Sequence, residues 1–81
     1  MKSMPYSPSD IYLAAALAVK GERHDKTTSE KGRITFHWIQ EPDKARYLAG
    51  EYYARNLSLD ARSYADEIRS LKTLCHNPIS E

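Results

Sequence analysis

The stretch Arg33-Ile34-Thr35-Phe36-His37-Trp38-Ile39 decides the fold. Its residues alternate, so Ile34, Phe36 and Trp38 share one face of a strand while Thr35, His37 and Ile39 share the other. A strand with so apolar a face must lay it against other elements. Upstream, residues 22–28 are polar and read as an edge strand, and Ser29-Glu30-Lys31-Gly32 read as the turn. The expected hairpin spans residues 22–40. A four-residue turn sets His24 opposite His37, and a one-residue slip would break that pair. An isolated hairpin is marginal in water, so helices must support this one.

The flanking sequence supplies three helices. In the first, Ser7 reads as the N-cap, Pro8 as the first helical residue and Asp10 as a capping-box partner, with Tyr6 and Ile11 as a hydrophobic staple. This helix runs to about Lys20, where Gly21 supplies a left-handed stop. Its body, Ile11–Val19, is apolar on nearly every side and expects cover on more than one. Downstream, Glu41-Pro42-Asp43 open a second helix with stripe residues Ala45, Leu48, Ala49, Tyr52 and Tyr53, stopping near Asn56. Leu57-Ser58-Leu59 form a connector that could add a brief strand. Asp60 then caps a third helix, with Leu59 and Tyr64 as its staple and Tyr64, Ile68, Leu71 and Leu74 or Cys75 as its stripe. Arg62 and Asp66 can pair on the outer face. His76-Asn77-Pro78 end the helix, and residues 77–81 read as a loose tail. The expected class is α+β: one domain over residues 1–81, an ordered core over about 6–76, order α-β-β-α-α, and the hairpin packed against helices.

Composition narrows the function. The 81 residues include 12 Lys and Arg against 11 Asp and Glu, a net charge of +1. By segment the balance runs +1, 0, +1, 0 and −1 over residues 1–20, 21–31, 32–40, 41–56 and 57–81. No segment is a strong electrostatic lure for nucleic acid or anionic lipid. Cys75 is the single cysteine, so no internal disulfide or cysteine-based zinc ribbon forms, and a reducing, cytoplasmic setting is expected. The longest apolar run, Ile11–Val19, falls short of the roughly 20 residues of a membrane span. That run and Ala16-Leu17-Ala18 imitate a signal peptide, but Asp10 stands where such a peptide is basic.

Candidate chemistry is sparse. His24, His37, Cys75 and His76 are the metal-ligand types present, without Cys-x-x-Cys or His-Glu-x-x-His spacing. Cys75 falls near a helix C-terminus, the wrong dipole end for a thiolate, and reads as a buried structural thiol. No Gly-x-Ser-x-Gly elbow occurs, the three glycines are isolated, and Asp66-Glu67 read as a solvated pair. No catalytic residue, metal or cofactor is expected.

Binding has more to work with. Six tyrosines and one tryptophan are many for this length. Tyr12, Trp38, Tyr52 and Tyr64 read as core filling. Tyr47 lies off the main stripe of its helix, with Gly50 and Ala54 at i+3 and i+7, so Tyr47, Gly50 and Ala54 are the candidate protein interface. A homodimer is expected, either there or through leftover apolar surface on helix one. The alternative is a nucleic-acid face on the hairpin, with Lys26, Arg33, Thr35 and His37 toward phosphates and Tyr47 or Tyr53 stacking on bases.

Ser7-Pro8-Ser9-Asp10-Ile11-Tyr12-Leu13-Ala14-Ala15-Ala16-Leu17, Gly21, Ile34-x-Phe36-x-Trp38 and Leu71-Lys72 together resemble a small bacterial and phage domain family of unknown function. The family pattern is Ser-x-x-Asp-x-x-x-Ala-Ala-x-Leu, then Lys-Gly, an alternating Phe-x-Phe strand and a late Leu-Lys. The similarity covers roughly residues 6–75, with Trp38 in place of the second Phe and a more polar first strand. It implies a bacterial, phage or mobile-element origin and brings no functional residues. The resulting expectation is a non-catalytic protein-interaction module, such as a phage or mobile-element inhibitor or accessory protein.

Overall fold

The computed structural model describes residues 4–76. Its elements are α1 (Ile11–Val19), β1 (Lys26–Glu30), β2 (Arg33–His37), α2 (Pro42–Tyr53) and α3 (Ala61–His76), in the expected α-β-β-α-α order. The two strands form an antiparallel hairpin whose inner face packs against the helices, an α+β arrangement. The expectations for the Cys75 and His76 side chains and for residues 77–81 fall outside what is described.

β1 and β2 pair Lys26 with His37 and Glu30 with Arg33, leaving a turn of two residues, Lys31 and Gly32. Both have positive φ, 54° and 81°, the backbone of a turn that matches strand twist. The expected four-residue turn is therefore wrong by two positions, and His24 does not face His37. His24 instead turns inward, its ring edge-on to Phe36 at 5.3 Å and to Trp38 at 6.0 Å.

The start of the chain departs most from expectation. Ser7 does not cap α1. Asp10 does: its Oδ1 accepts from the Tyr12 and Leu13 amides at 2.9 and 3.3 Å. The preceding residues run extended along the free edge of β2. Tyr6 and Trp38 exchange both backbone hydrogen bonds, at 3.0 and 2.8 Å, and the Phe36 amide donates to the Pro8 carbonyl at 2.9 Å. β2 is thus bonded on both sides. Pro8, which has no amide proton, is used only as an acceptor, as an edge position requires. Arg46 secures this segment, donating to the Met4 and Pro5 carbonyls with its guanidinium 5.7 Å from the Tyr6 ring centre.

The helix ends follow local chemistry. Gly21, at φ +91°, stops α1 as expected. α2 starts at Pro42 and ends where Arg55, not Asn56, turns left-handed at φ +65°. Residues 57–59 form no strand. Asp60 caps α3 by accepting from the Ser63 amide at 2.9 Å and its hydroxyl at 2.8 Å. Asp66 pairs with Arg69 rather than Arg62.

The core forms where the inner face of β2 meets the helices. Phe36, Trp38, Leu13, Leu17, Ala45, Ala49 and Leu71 are buried, with Ile34, Tyr52, Tyr64 and Ile68 packed around them. The Trp38 indole N–H donates to the Glu22 carbonyl at 3.0 Å, so its one polar atom is satisfied. Residues 13–17 of α1 have no solvent exposure. The domain itself covers those five side chains, while Ile11, Ala18 and Val19 are half-buried. Tyr12 is 45% exposed, contrary to its expected core role, and its ring lies 5.6 Å from the Lys72 ammonium.

His24 gives the fold a pH dependence. Burial, chiefly, and the neighbouring Arg23 hold its pKa below the ordinary value. The unfolded chain therefore binds more protons near pH 6, and stability falls as pH drops from about 7 through the unfolded value of about 6.5. The wild type is expected to lose melting temperature over that interval, and His24→Gln to lose less. Equal slopes in thermal melts of the two proteins would show that His24 titrates freely.

Candidate functional site

Two surfaces carry the residues singled out by the sequence. The first is the outer face of α2. Tyr47 is 66% exposed, and Gly50 and Ala54 are exposed beside it at helical spacing. Nothing lies within 4 Å of where a Cβ on Gly50 would sit. The glycine therefore relieves no crowding inside the domain, and it lies in a twelve-residue helix, where glycine costs about 1 kcal/mol relative to alanine. The same helix buries Ala45 and Ala49 on its other side. Tyr53 leans differently from Tyr47: its hydroxyl donates to Asp10 Oδ2 at 2.9 Å and its ring meets Tyr52 edge-on at 5.1 Å. Burial and that carboxylate push the Tyr53 phenol up to about 12. Tyr53 is thus a clasp between α2 and the start of α1.

The second surface is the outer face of the hairpin. The register puts Lys26, Arg33, Thr35 and His37 together there, as the alternation required. Sequence reasoning missed what accompanies them. With residues 6–8 alongside β2, the Ser7 hydroxyl meets His37 Nδ1 at 2.9 Å and the Ser9 hydroxyl meets Thr35 Oγ1 at 3.3 Å. The Thr28 hydroxyl meets His37 Nε2 at 2.8 Å from the other strand. Thr35 and His37 are therefore engaged in a hydroxyl network that ties three extended segments together. Lys26 and Arg33 form no ion pair with a described carboxylate. The signal for this network was the Ser-x-Ser pair at positions 7 and 9, whose spacing of two places both hydroxyls on one face of an extended segment.

Among the described residues no group of three or more His, Cys, Asp or Glu side chains is placed to hold a metal ion. No helix among them is long and apolar enough to cross a membrane. The chain is a small α+β domain in which three helices support a hairpin widened by its own N-terminal segment. No protein-family model matches it, and no curated protein or solved structure matches it either.

Proposed function

We propose that this domain is a non-catalytic protein-interaction module that associates through the outer face of α2, in the first instance with a second copy of itself. The observation that carries this reading is Gly50. A mid-helix glycine with open space around it has no use within the domain, whereas a second backbone approaching beside Tyr47 and Ala54 would need the room. Tyr47 supplies the large amphipathic side chain favoured in interface cores. A two-fold pairing places each Tyr47 near the partner's small residues and closes the assembly.

Gly50 provides the test. For an isolated domain, Gly50→Ala should raise stability by about 0.5–1 kcal/mol through helix propensity alone. Gly50→Leu should also leave the monomer fold intact, because the position is exposed and a Cβ there has open space around it. Both variants are expected to keep their circular dichroism, and Gly50→Leu to lose self-association on size-exclusion chromatography. Unchanged association would place the interface elsewhere. A gel shift addresses the hairpin's outer face: nucleic-acid binding that weakens steeply with salt would favour the alternative reading through Lys26 and Arg33.

A further inference from the structure

A groove of about 680 Å³, which shares Arg33 with the hairpin's outer face, opens between the first turn of α1, the tip of the hairpin and the C-terminal half of α3. Its apolar lining comes from Ile11, Ile34 and Phe36, and its charged lining from Asp10, Arg33 and Lys72. The charges are unequal in what they can offer. Both Asp10 carboxylate oxygens are engaged, Oδ1 by the Tyr12 and Leu13 amides and Oδ2 by the Tyr53 hydroxyl. Arg33 and Lys72 form no ion pair with a described carboxylate. The groove therefore combines an apolar floor with two cations and one carboxylate whose two oxygens are already hydrogen-bonded, leaving a net positive lining.

We propose that this groove receives an acidic segment of a partner protein, with an apolar side chain on Ile11 and Ile34 and neighbouring carboxylates paired with Arg33 and Lys72. Charge complementarity selects the occupant. An apolar ligand alone leaves Arg33 and Lys72 without a carboxylate partner, Lys72 having only the Tyr12 ring at 5.6 Å, and a bare anion leaves the floor uncovered. Nucleic acid suits the site poorly, because Ile11 and Ile34 offer no stacking plane, the Phe36 ring is only 1% exposed, and the chain's net charge is only +1. A free fatty acid calls for an enclosed apolar cavity, whereas this groove is open. An extended peptide alternates its side chains and can present both chemistries to one surface. The proposal rests on the interaction-module reading only in taking the occupant to be a protein; it does not require the α2 pairing.

The test selects binders from a random-peptide display library on the full chain, then measures the enriched peptides by fluorescence anisotropy. Enriched sequences are expected to place Asp or Glu beside Leu, Ile, Met or Phe. Their affinity should fall at least about tenfold in Arg33→Glu/Lys72→Glu, whose circular dichroism should be unchanged, and should be unaffected in Gly50→Leu. An empty selection, enriched peptides without acidic residues, or affinity unmoved by the charge reversal would each overturn the proposal. So would displacement of the peptide by decanoate or an oligodeoxythymidine at lower concentration than by free peptide. Peptides lost in Gly50→Leu but not in the charge reversal would uphold the α2 surface while removing this one. Acidic peptides held by a strictly monomeric chain would do the reverse.

Discussion

Replacing Trp38 by Ala is expected to cost about 3–5 kcal/mol of folding free energy, a large part of the roughly 5–15 kcal/mol typical of a domain. Trp38 is 1% exposed and among the largest wholly buried side chains. It also closes three separate contacts. Its backbone exchanges hydrogen bonds with Tyr6, its indole donates to the Glu22 carbonyl, and its ring carries the edge of His24. Truncation removes the apolar contact and leaves the Glu22 carbonyl without that donor. The neighbouring Ile39 is the control, because it points to the opposite face and is 39% exposed. Ile39→Ala should cost less than about 1 kcal/mol. Urea unfolding of both variants decides the matter, and equal costs would mean that the strand faces are reversed.

The second large effect is expected on α1. Ala15 has no exposure and belongs to the main core cluster, alongside Leu13, Ala14 and Leu17. α1 packs against both α2 and α3, and Ala15 lies in the core they share. Ala15→Leu forces three further carbons into that packing and should cost about 1–3 kcal/mol. Ala65, exposed on α3, provides the comparison: Ala65→Leu should change stability by no more than about 0.5 kcal/mol. If Ala15→Leu proved neutral or stabilising, α1 would have open space beside Ala15 inside the core.

The elements that could be read from the sequence are those whose signals are local. The alternation over residues 33–39 named the correct buried face, Pro42 marked the start of α2, Asp60 capped α3, and Gly21 ended α1. Errors arose where two local readings competed and a distant partner decided. Ser7 and Asp10 are both good caps. Ser7 is drawn away because the amides of Phe36 and Trp38 need acceptors on the open edge of β2, and only an extended segment at residues 6–8 supplies them. Lys31 at positive φ is an uncommon first residue for a two-residue turn, so the sequence favoured a longer one. The His24–His37 pairing fell with that register. Arg62 and Arg69 both lie within reach of Asp66 along a helix, and spacing alone does not choose between them.

The candidate surfaces divide in the same way. Tyr47, Gly50 and Ala54 lie together on one exposed face because helical spacing alone puts them there. Lys26, Arg33, Thr35 and His37 share a face because strand alternation and pairing put them there, but their hydroxyl partners come from residues far away in sequence. The groove beside Arg33 and Lys72 could not be read from the sequence, since it draws on three elements whose approach depends on the packed core. On α1 the domain buries residues 13–17 and leaves Tyr12 45% exposed, so the case for the proposed self-association rests on α2.

Sedimentation equilibrium of the full chain at micromolar concentration tests that case most directly. The α2 pairing predicts a mass near twice 9.3 kDa for the wild type and 9.3 kDa for Gly50→Leu. A wild-type chain that stays at 9.3 kDa throughout the concentration range, or a Gly50→Leu chain that still doubles it, would contradict the account.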